Sequence, residues 1–399
     1  MGLAPILVSE HAVAWLDRAA RAGWGQAPSL LKRYCTHFWR TTVVMHDIQT
    51  NVLPVNAHHP DPASIERAAA LLRHGELVVF PTETVYGLGA DVLQTAAVER
   101  IFTAKGRPFS DPLIVHIASE DTLAMLTSSI PPQVRQLADA FWPGPLTLIL
   151  PARVPGLITA GLETIAVRMP RHPVALALIR ALGSPIAAPS ANRFMHVSPT
   201  TAQHALADLA GRVPLILDSG PCTVGVESTI LDLCADVPTI LRPGGISLEA
   251  LRTIVPDVQP PHRRSTTSSN EAPDEKAQKA PGQLLIHYAP AVPTYLFEGA
   301  AHAMRTSMLA EVRKRQQQGK HVGVLIADED LATFQETGAF IYTLGGAPEQ
   351  IAAHLFAGLR TLEEAGVQVI LCRSFGEQGL GLAVRDRLLK AAGGKVVYV

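Results

Sequence analysis

Several features are scarce or missing in this 399-residue chain, and each absence narrows its chemistry. There are four cysteines, Cys35, Cys222, Cys234 and Cys372, and no two stand in a C-x-x-C pair. Zinc knuckles and dithiol redox motifs use that spacing, so the thiols read as buried or free in a reducing compartment. No apolar run reaches the ~18 residues that would suggest a bilayer span, so no membrane crossing is expected. A basic excess is also absent, with 34 Lys and Arg against 35 Asp and Glu. A general nucleic-acid binder usually carries a net basic domain, so any RNA contact is confined to a local patch. There is no Walker A loop, Ser-His-Asp triad, pair of acids, RNP-type aromatic motif or internal repeat. With a sequence pI of about 7.0 and no secretion signal, the expected location is the cytoplasm.

What is present reads as a globular protein, with 47% apolar and 17% charged residues. Its length suits two or three domains. Residues 1–44 scatter Trp15, Trp24, Trp39, Arg18, Arg21 and Arg40 without periodicity, and Met45 precedes a more ordinary start. That segment is expected to be an extension without a role. Glu10, Asp17 and sparse serine argue against a transit peptide.

From Asp61 the pattern becomes regular. Asp61-Pro62 signals a helix over 63–74, stopped at Gly75. Further helices are expected over 96–105, 121–127, 132–141, 174–182 and 201–209. Strands are expected over 77–80, 113–117, 146–150, 165–169, 186–188, 215–217, 229–233 and 239–241. Residues 81–89 read as a polar turn. The alternation predicts an α/β domain over 45–256 with a large twisted mixed sheet. Residues 257–290, rich in Pro, Ser and charge, read as a linker. A smaller Rossmann-like α/β domain over 291–399 follows, with a parallel sheet wrapped by helices.

Four polar clusters follow predicted strands or helices, where ligands of α/β sheets usually sit. The first is PTETVYGLG at 81–89, with Thr84 exposing a hydroxyl. The second is Lys105-Gly106-Arg107-Pro108, followed by Asp111-Pro112 and a strand bearing His116. Lysine and arginine flanking glycine suit phosphate, although basic capping of a helix end would look the same. The third runs from Thr164 through Arg168 to Ala188-Pro189-Ser190-Ala191-Asn192 and Ser198-Pro199-Thr200. Arg168 lies in an apolar strand and needs a partner, either a substrate carboxylate or a structural ion pair. The fourth is Gly225-Val226-Glu227-Ser228-Thr229 with Arg242-Pro243-Gly244-Gly245, and His287-Tyr288-Ala289-Pro290 lies beyond it. One lysine, three arginines and many hydroxyls suit binding a phosphate-rich substrate and orienting reactants, not covalent catalysis.

These clusters, in this order, resemble the YrdC-like threonylcarbamoyl-AMP synthase family in its long, two-domain form. The resemblance covers about residues 52–251. The segments at 374–381 and 387–393 are similar to the family's C-terminal domain. It implies synthesis of threonylcarbamoyl-AMP and pyrophosphate from L-threonine, bicarbonate and ATP, with Mg²⁺ accompanying ATP. It implies that Thr84, His116, Arg168, Ala188 and Ser228 surround threonine. Lys105 and Arg107 are implied as catalytic, and Arg107, Asp111, Thr164, Ser190, Ser198, Arg242 and Tyr288 as the ATP side. Asp111 stands where the family often has Asn. The linker is implied to act as a lid, and the partner to be the machinery that transfers the threonylcarbamoyl group to tRNA, with weak tRNA contact.

Other readings differ in class. A double-stranded RNA or tRNA-binding module without catalysis would place the basic residues along an open groove. A hydrogenase-maturation-type carbamoyltransferase would need zinc modules. A nucleotide sensor would bind ATP without releasing pyrophosphate.

Overall fold

The chain is described from a computed structural model, which covers residues 48–154, 156–261, 278, 280–282 and 288–399. The expected extension over 1–44 and most of the expected linker over 257–290 lie outside the described residues.

The chain enters on β1 (Asn51–Pro54), an edge strand absent from the sequence reading. In α1 (Pro62–Arg73) the Asp61 carboxylate accepts from the Ser64 amide and proline opens the first turn, while Ile65, Ala68, Ala69 and Leu72 form the buried stripe. β2 (Val78–Phe80) then turns into β3 (Gly87–Asp91), antiparallel to it. Residues 87–89, expected in a polar turn, are therefore strand. The reason is steric: a Cβ on Gly89 would lie 2.8 Å from the Phe80 ring and 2.9 Å from the Ile186 Cγ2. The glycine that reads as a turn signal instead permits close packing inside the sheet.

Continuing along the chain come α2 (Thr95–Lys105), β4 (Ile114–His116), α3 (Leu123–Leu126), α4 (Gln133–Phe141), β5 (Leu146–Pro151), β6 (Thr164–Arg168) and α5 (Pro173–Leu182). They are followed by β7 (Ile186–Ala187), α6 (Ala202–Leu209), β8 (Leu215–Asp218), β9 (Thr229–Asp232), β10 (Thr239–Arg242) and α7 (Leu248–Arg252). Ten strands make one mixed sheet in the order β1-β8-β2-β3-β7-β4-β6-β5-β9-β10. The pairs β1/β8, β8/β2, β4/β6 and β5/β9 are parallel, and the others antiparallel.

The second sheet contains β11 (Thr294–Glu298), β12 (Val322–Ile326), β13 (Phe340–Thr343), β14 (Val369–Arg373) and β15 (Val396–Tyr398). Its order is β13-β12-β14-β11-β15, and every pair is parallel. The connections carry α8 (Ala301–Gln317), α9 (Leu331–Phe334), α10 (Pro348–Glu364) and α11 (Gly381–Ala391). This is the expected smaller parallel α/β sheet.

The two sheets share a core. Val85, Val197, Val226 and Tyr288 from the loops of the first cluster with Leu355, Phe356, Val384 and Leu388 of the second. Gly225, at φ 73°, shows how closely they meet, because a Cβ there would lie 2.3 Å from the Ala353 Cα. Buried ion pairs cross the same seam, Arg360 to Asp208 at 2.7 Å and Arg387 to Glu227 at 2.7 Å. No helix among the described residues is long and apolar enough to cross a membrane.

Candidate active site

A cleft of about 540 Å³, counted out to its open mouth, lies where the predicted clusters meet. Of the residues singled out from sequence, Thr84, Arg107, His116, Arg168, Ala188, Ser190, Ser228, Arg242 and Tyr288 line it. Lys105, Asp111, Thr164 and Ser198 do not, and each has a definable place nearby.

Arg168 ends β6 beside His116 at the end of β4, its partner in register. The parallel pairing delivers both side chains together although they are far apart in sequence. Arg168 Nη1 donates to Thr84 Oγ1 at 2.9 Å and Nε to the Gly144 carbonyl at 3.2 Å. Its Nη2 lies 2.7 Å from Glu83 Oε1, so a structural ion pair is present. Thr84 is itself held by Thr82, whose hydroxyl lies 2.8 Å from Thr84 Oγ1 and donates to the Val85 carbonyl at 2.6 Å. His116 is pushed down to about 3, by burial and then by the Arg168 charge, so it is neutral at ordinary pH. Its Nδ1 has no hydrogen-bond partner among the described residues.

A second group surrounds Arg242. Its Nε and Nη2 donate to the Ser228 carbonyl at 3.2 and 3.0 Å, and Nη2 also reaches Ser228 Oγ at 3.1 Å. Ser228 Oγ lies 2.7 Å from Thr147 Oγ1. Tyr288 hydrogen-bonds Arg242 and is fully buried, with a positive φ of 58° that is unusual for an aromatic residue. Gly282 accommodates it, since a Cβ there would stand 2.5 Å from the Tyr288 hydroxyl. Pro281, Gly282 and Tyr288 line the cleft on this side.

The basic motif after α2 divides its labour. Arg107 lines the cleft, donating to the Asp111 and Pro112 carbonyls, and Asp111 Oδ1 lies 3.0 Å from its Nη2. Asp111 is raised by burial, which outweighs Arg107, Lys105 and Arg242. Lys105 turns away from the cleft and donates to the Ser190 and Asn192 carbonyls at 2.6 and 2.5 Å, bracing the loop that presents Ser190. Burial and the neighbouring Arg107 push it well below the usual lysine range. Thr164 sits at the start of β6 opposite Pro151. Ser198 is buried behind the wall and donates to Glu227 Oε1 at 2.6 Å.

Sequence reasoning missed Thr82, Glu83, Glu227 and Arg387. The two glutamates lie inside motifs already marked, PTETVYGLG and GVESTI. A carboxylate in a buried turn that converges on arginines was the available signal. Arg387 had no such signal, because nothing local ties α11 to the cleft.

Comparisons with known proteins identify the family. Residues 70–244 match the Sua5_yciO_yrdC family, described as "Telomere recombination", and residues 246–393 match "Threonylcarbamoyl-AMP synthase, C-terminal domain". The threonylcarbamoyl-AMP synthase of Bacillus subtilis is 45% identical over 342 residues, 84% of this chain and 95% of the relative. The chain belongs to the threonylcarbamoyl-AMP synthase family. The Pyrococcus abyssi member is 44% identical over 84% of this chain. A crystal structure of P. abyssi Sua5 complexed with L-threonine superposes with a TM-score of 0.80, at 43% identity, covering 88% of this chain and 99% of that one. Like that member of the family, this chain carries both the large mixed-sheet domain and the C-terminal domain.

Proposed function

We propose that the cleft makes threonylcarbamoyl-AMP from L-threonine, bicarbonate and ATP, releasing pyrophosphate. The observation that carries this reading is Arg168: a guanidinium in the cleft wall, beside neutral His116 and Thr84, with an Nη2 that makes no hydrogen bond among the described residues. That is the donor set a small amino acid's carboxylate would take. In this reading Thr84, His116, Arg168, Ala188 and Ser228 hold threonine, and the unpartnered His116 nitrogen faces its polar groups.

Arg107, Ser190, Arg242 and Tyr288 take ATP. Lys105, Asp111, Thr164 and Ser198 support that side from behind or beside the wall. The threonine amine attacks the bicarbonate carbon and water leaves. A carbamate oxygen then attacks the α-phosphorus, and the bond to the β-phosphate oxygen breaks with its electron pair going to pyrophosphate. Alignment and charge stabilisation are the main demands of such a step. Mg²⁺ accompanying the triphosphate would neutralise part of its charge.

Residues 45–256 act as the catalytic domain, 257–290 as a lid and 291–399 as the C-terminal domain, supported by Pro281, Gly282 and Tyr288 on the cleft. The product passes to the tRNA threonylcarbamoyl-transfer machinery in the cytoplasm, with at most weak tRNA contact by this chain. The RNA-module reading fares worse, because Lys105, Arg107, Arg168 and Arg242 are each less than a tenth exposed and unavailable to a phosphodiester backbone. Mass spectrometry with ¹³C-bicarbonate tests the proposal. One label per threonylcarbamoyl-AMP is expected, and ATP turnover without labelled product would contradict it.

A further inference from the structure

The C-terminal domain places a buried cation behind the cleft wall. Arg387, on α11, is fully buried. Its Nε donates to Glu227 Oε2 at 2.7 Å and its Nη1 to Asp386 at 2.5 Å. The guanidinium carbon lies 5.0 Å from the centre of the Tyr288 ring, within cation–π range. Glu227 and Tyr288 both line the cleft. The other Glu227 oxygen accepts from Ser198. One guanidinium from the second sheet thus holds two residues of the first sheet's site.

The charge balance gives this contact a purpose. A carboxylate in the wall of a cleft that takes a triphosphate repels its ligand unless a cation covers it. Arg242 is close, yet its hydrogen bonds go to Ser228, Pro281 and Tyr288, while Arg387 bonds Glu227 directly. Burial pushes Glu227 up, but Arg387 and then Arg242, with the Ser198 hydroxyl, more than offset it, and the group lies below its ordinary value. The other charged or titratable groups around this cluster are Asp386 and Lys390 on α11 and Tyr288 after the linker.

We propose that Arg387 is a positioning residue for adenylate formation: it neutralises Glu227 and seats Tyr288, so that the ATP side of the cleft is complete only with the C-terminal domain docked. This rests on the reaction proposed above.

The test uses the full chain and compares wild type with Arg387→Met, Arg387→Lys and the charge-balanced double variant Arg387→Met/Glu227→Gln. KM for ATP and for threonine, kcat, thermal unfolding and pH profiles are measured. Arg387→Met is expected to raise the ATP KM about tenfold, near the low end of the coupling of a close charge pair because Arg387 acts on ATP only through Glu227 and Tyr288, with the threonine KM moving less than about twofold. The defect should shrink as pH falls, because Glu227 without its cation protonates more readily. The double variant should recover most of the ATP KM, and Arg387→Lys, which keeps charge but not the fork, should fall between. If Arg387→Met does not fold, the Lys and double variants decide, and an ATP KM equal to wild type in Arg387→Lys overturns the proposal. Equal loss for ATP and threonine without rescue by Glu227→Gln would reduce Arg387 to structural support and also overturn it. A wild type without threonine-dependent pyrophosphate release would overturn the reaction itself. An active wild type with an unchanged ATP KM in folded Arg387→Met would overturn the positioning role alone.

Discussion

Arg168 Nη2 and Glu83 Oε1 stand 2.7 Å apart in a buried pair, yet neither atom makes an aligned hydrogen bond. Glu83 is fixed from its other side, where Oε2 accepts from the Arg171 amide at 3.1 Å. The pair balances charge in the cleft wall, and in the proposed reading the Arg168 fork also meets the threonine carboxylate.

Glu83→Gln should separate these two roles. Losing the carboxylate leaves a buried guanidinium less well balanced, so stability should fall by about 3 kcal/mol, the low end for breaking a buried pair. Threonine no longer competes with a fixed carboxylate, so its binding should tighten, and added threonine should raise the melting temperature more than in wild type. Thermal unfolding with and without threonine checks this. An equal ligand-induced rise in both proteins would contradict the competition.

Gly89→Ala tests the strand that reads as a turn. The new methyl meets the Phe80 ring and Ile186 inside ordinary contact distance. Overpacking of this kind costs about 1–3 kcal/mol. Phe80 also stands edge-on to His116, with ring centroids 6.2 Å apart, so its displacement would reach the site. Denaturant unfolding should show the loss, and the threonine KM should rise with it. An unchanged midpoint would show that Phe80 can move aside.

Helix α1 was legible in the sequence because Asp61, Pro62 and Gly75 mark its ends. The strands carrying His116 and Arg168 were legible as short apolar runs. β3 was not, because its glycines answer a neighbour across the sheet and not a local turn. β1 is an exposed four-residue edge strand, and its pairing with β8 depends on residues more than 160 positions away. Nine candidate residues do converge on one cleft. That Lys105 faces carbonyls, and that Glu227 is covered from α11, depends on tertiary packing that no local pattern encodes.

The seam between the two sheets should respond to pH through His196. Its Nδ1 lies 2.9 Å from Asp208 and its Nε2 3.1 Å from Glu363 on α10. Burial pushes it down, but the two carboxylates outweigh that and raise it to about 9. Because the folded value exceeds the unfolded one of ~6.5, its contribution is full below pH 6.5 and is lost as pH rises through 9. His116 acts oppositely. Its folded value near 3 lies below the unfolded one, so its contribution is present above pH 6.5 and is lost as pH falls toward 3. Unfolding of wild type and His196→Asn between pH 5 and 10 should show a gap widest at or below pH 6.5 that closes toward pH 10. A gap independent of pH would show that His196 acts by packing alone.

The decisive measurement is pyrophosphate release from ATP and bicarbonate, with and without L-threonine, in wild type and Arg168→Ala. Release should depend on threonine and collapse in the variant through a higher threonine KM, while ATP binding persists. Threonine-independent release, or full activity in a folded Arg168→Ala protein, would contradict the proposed function.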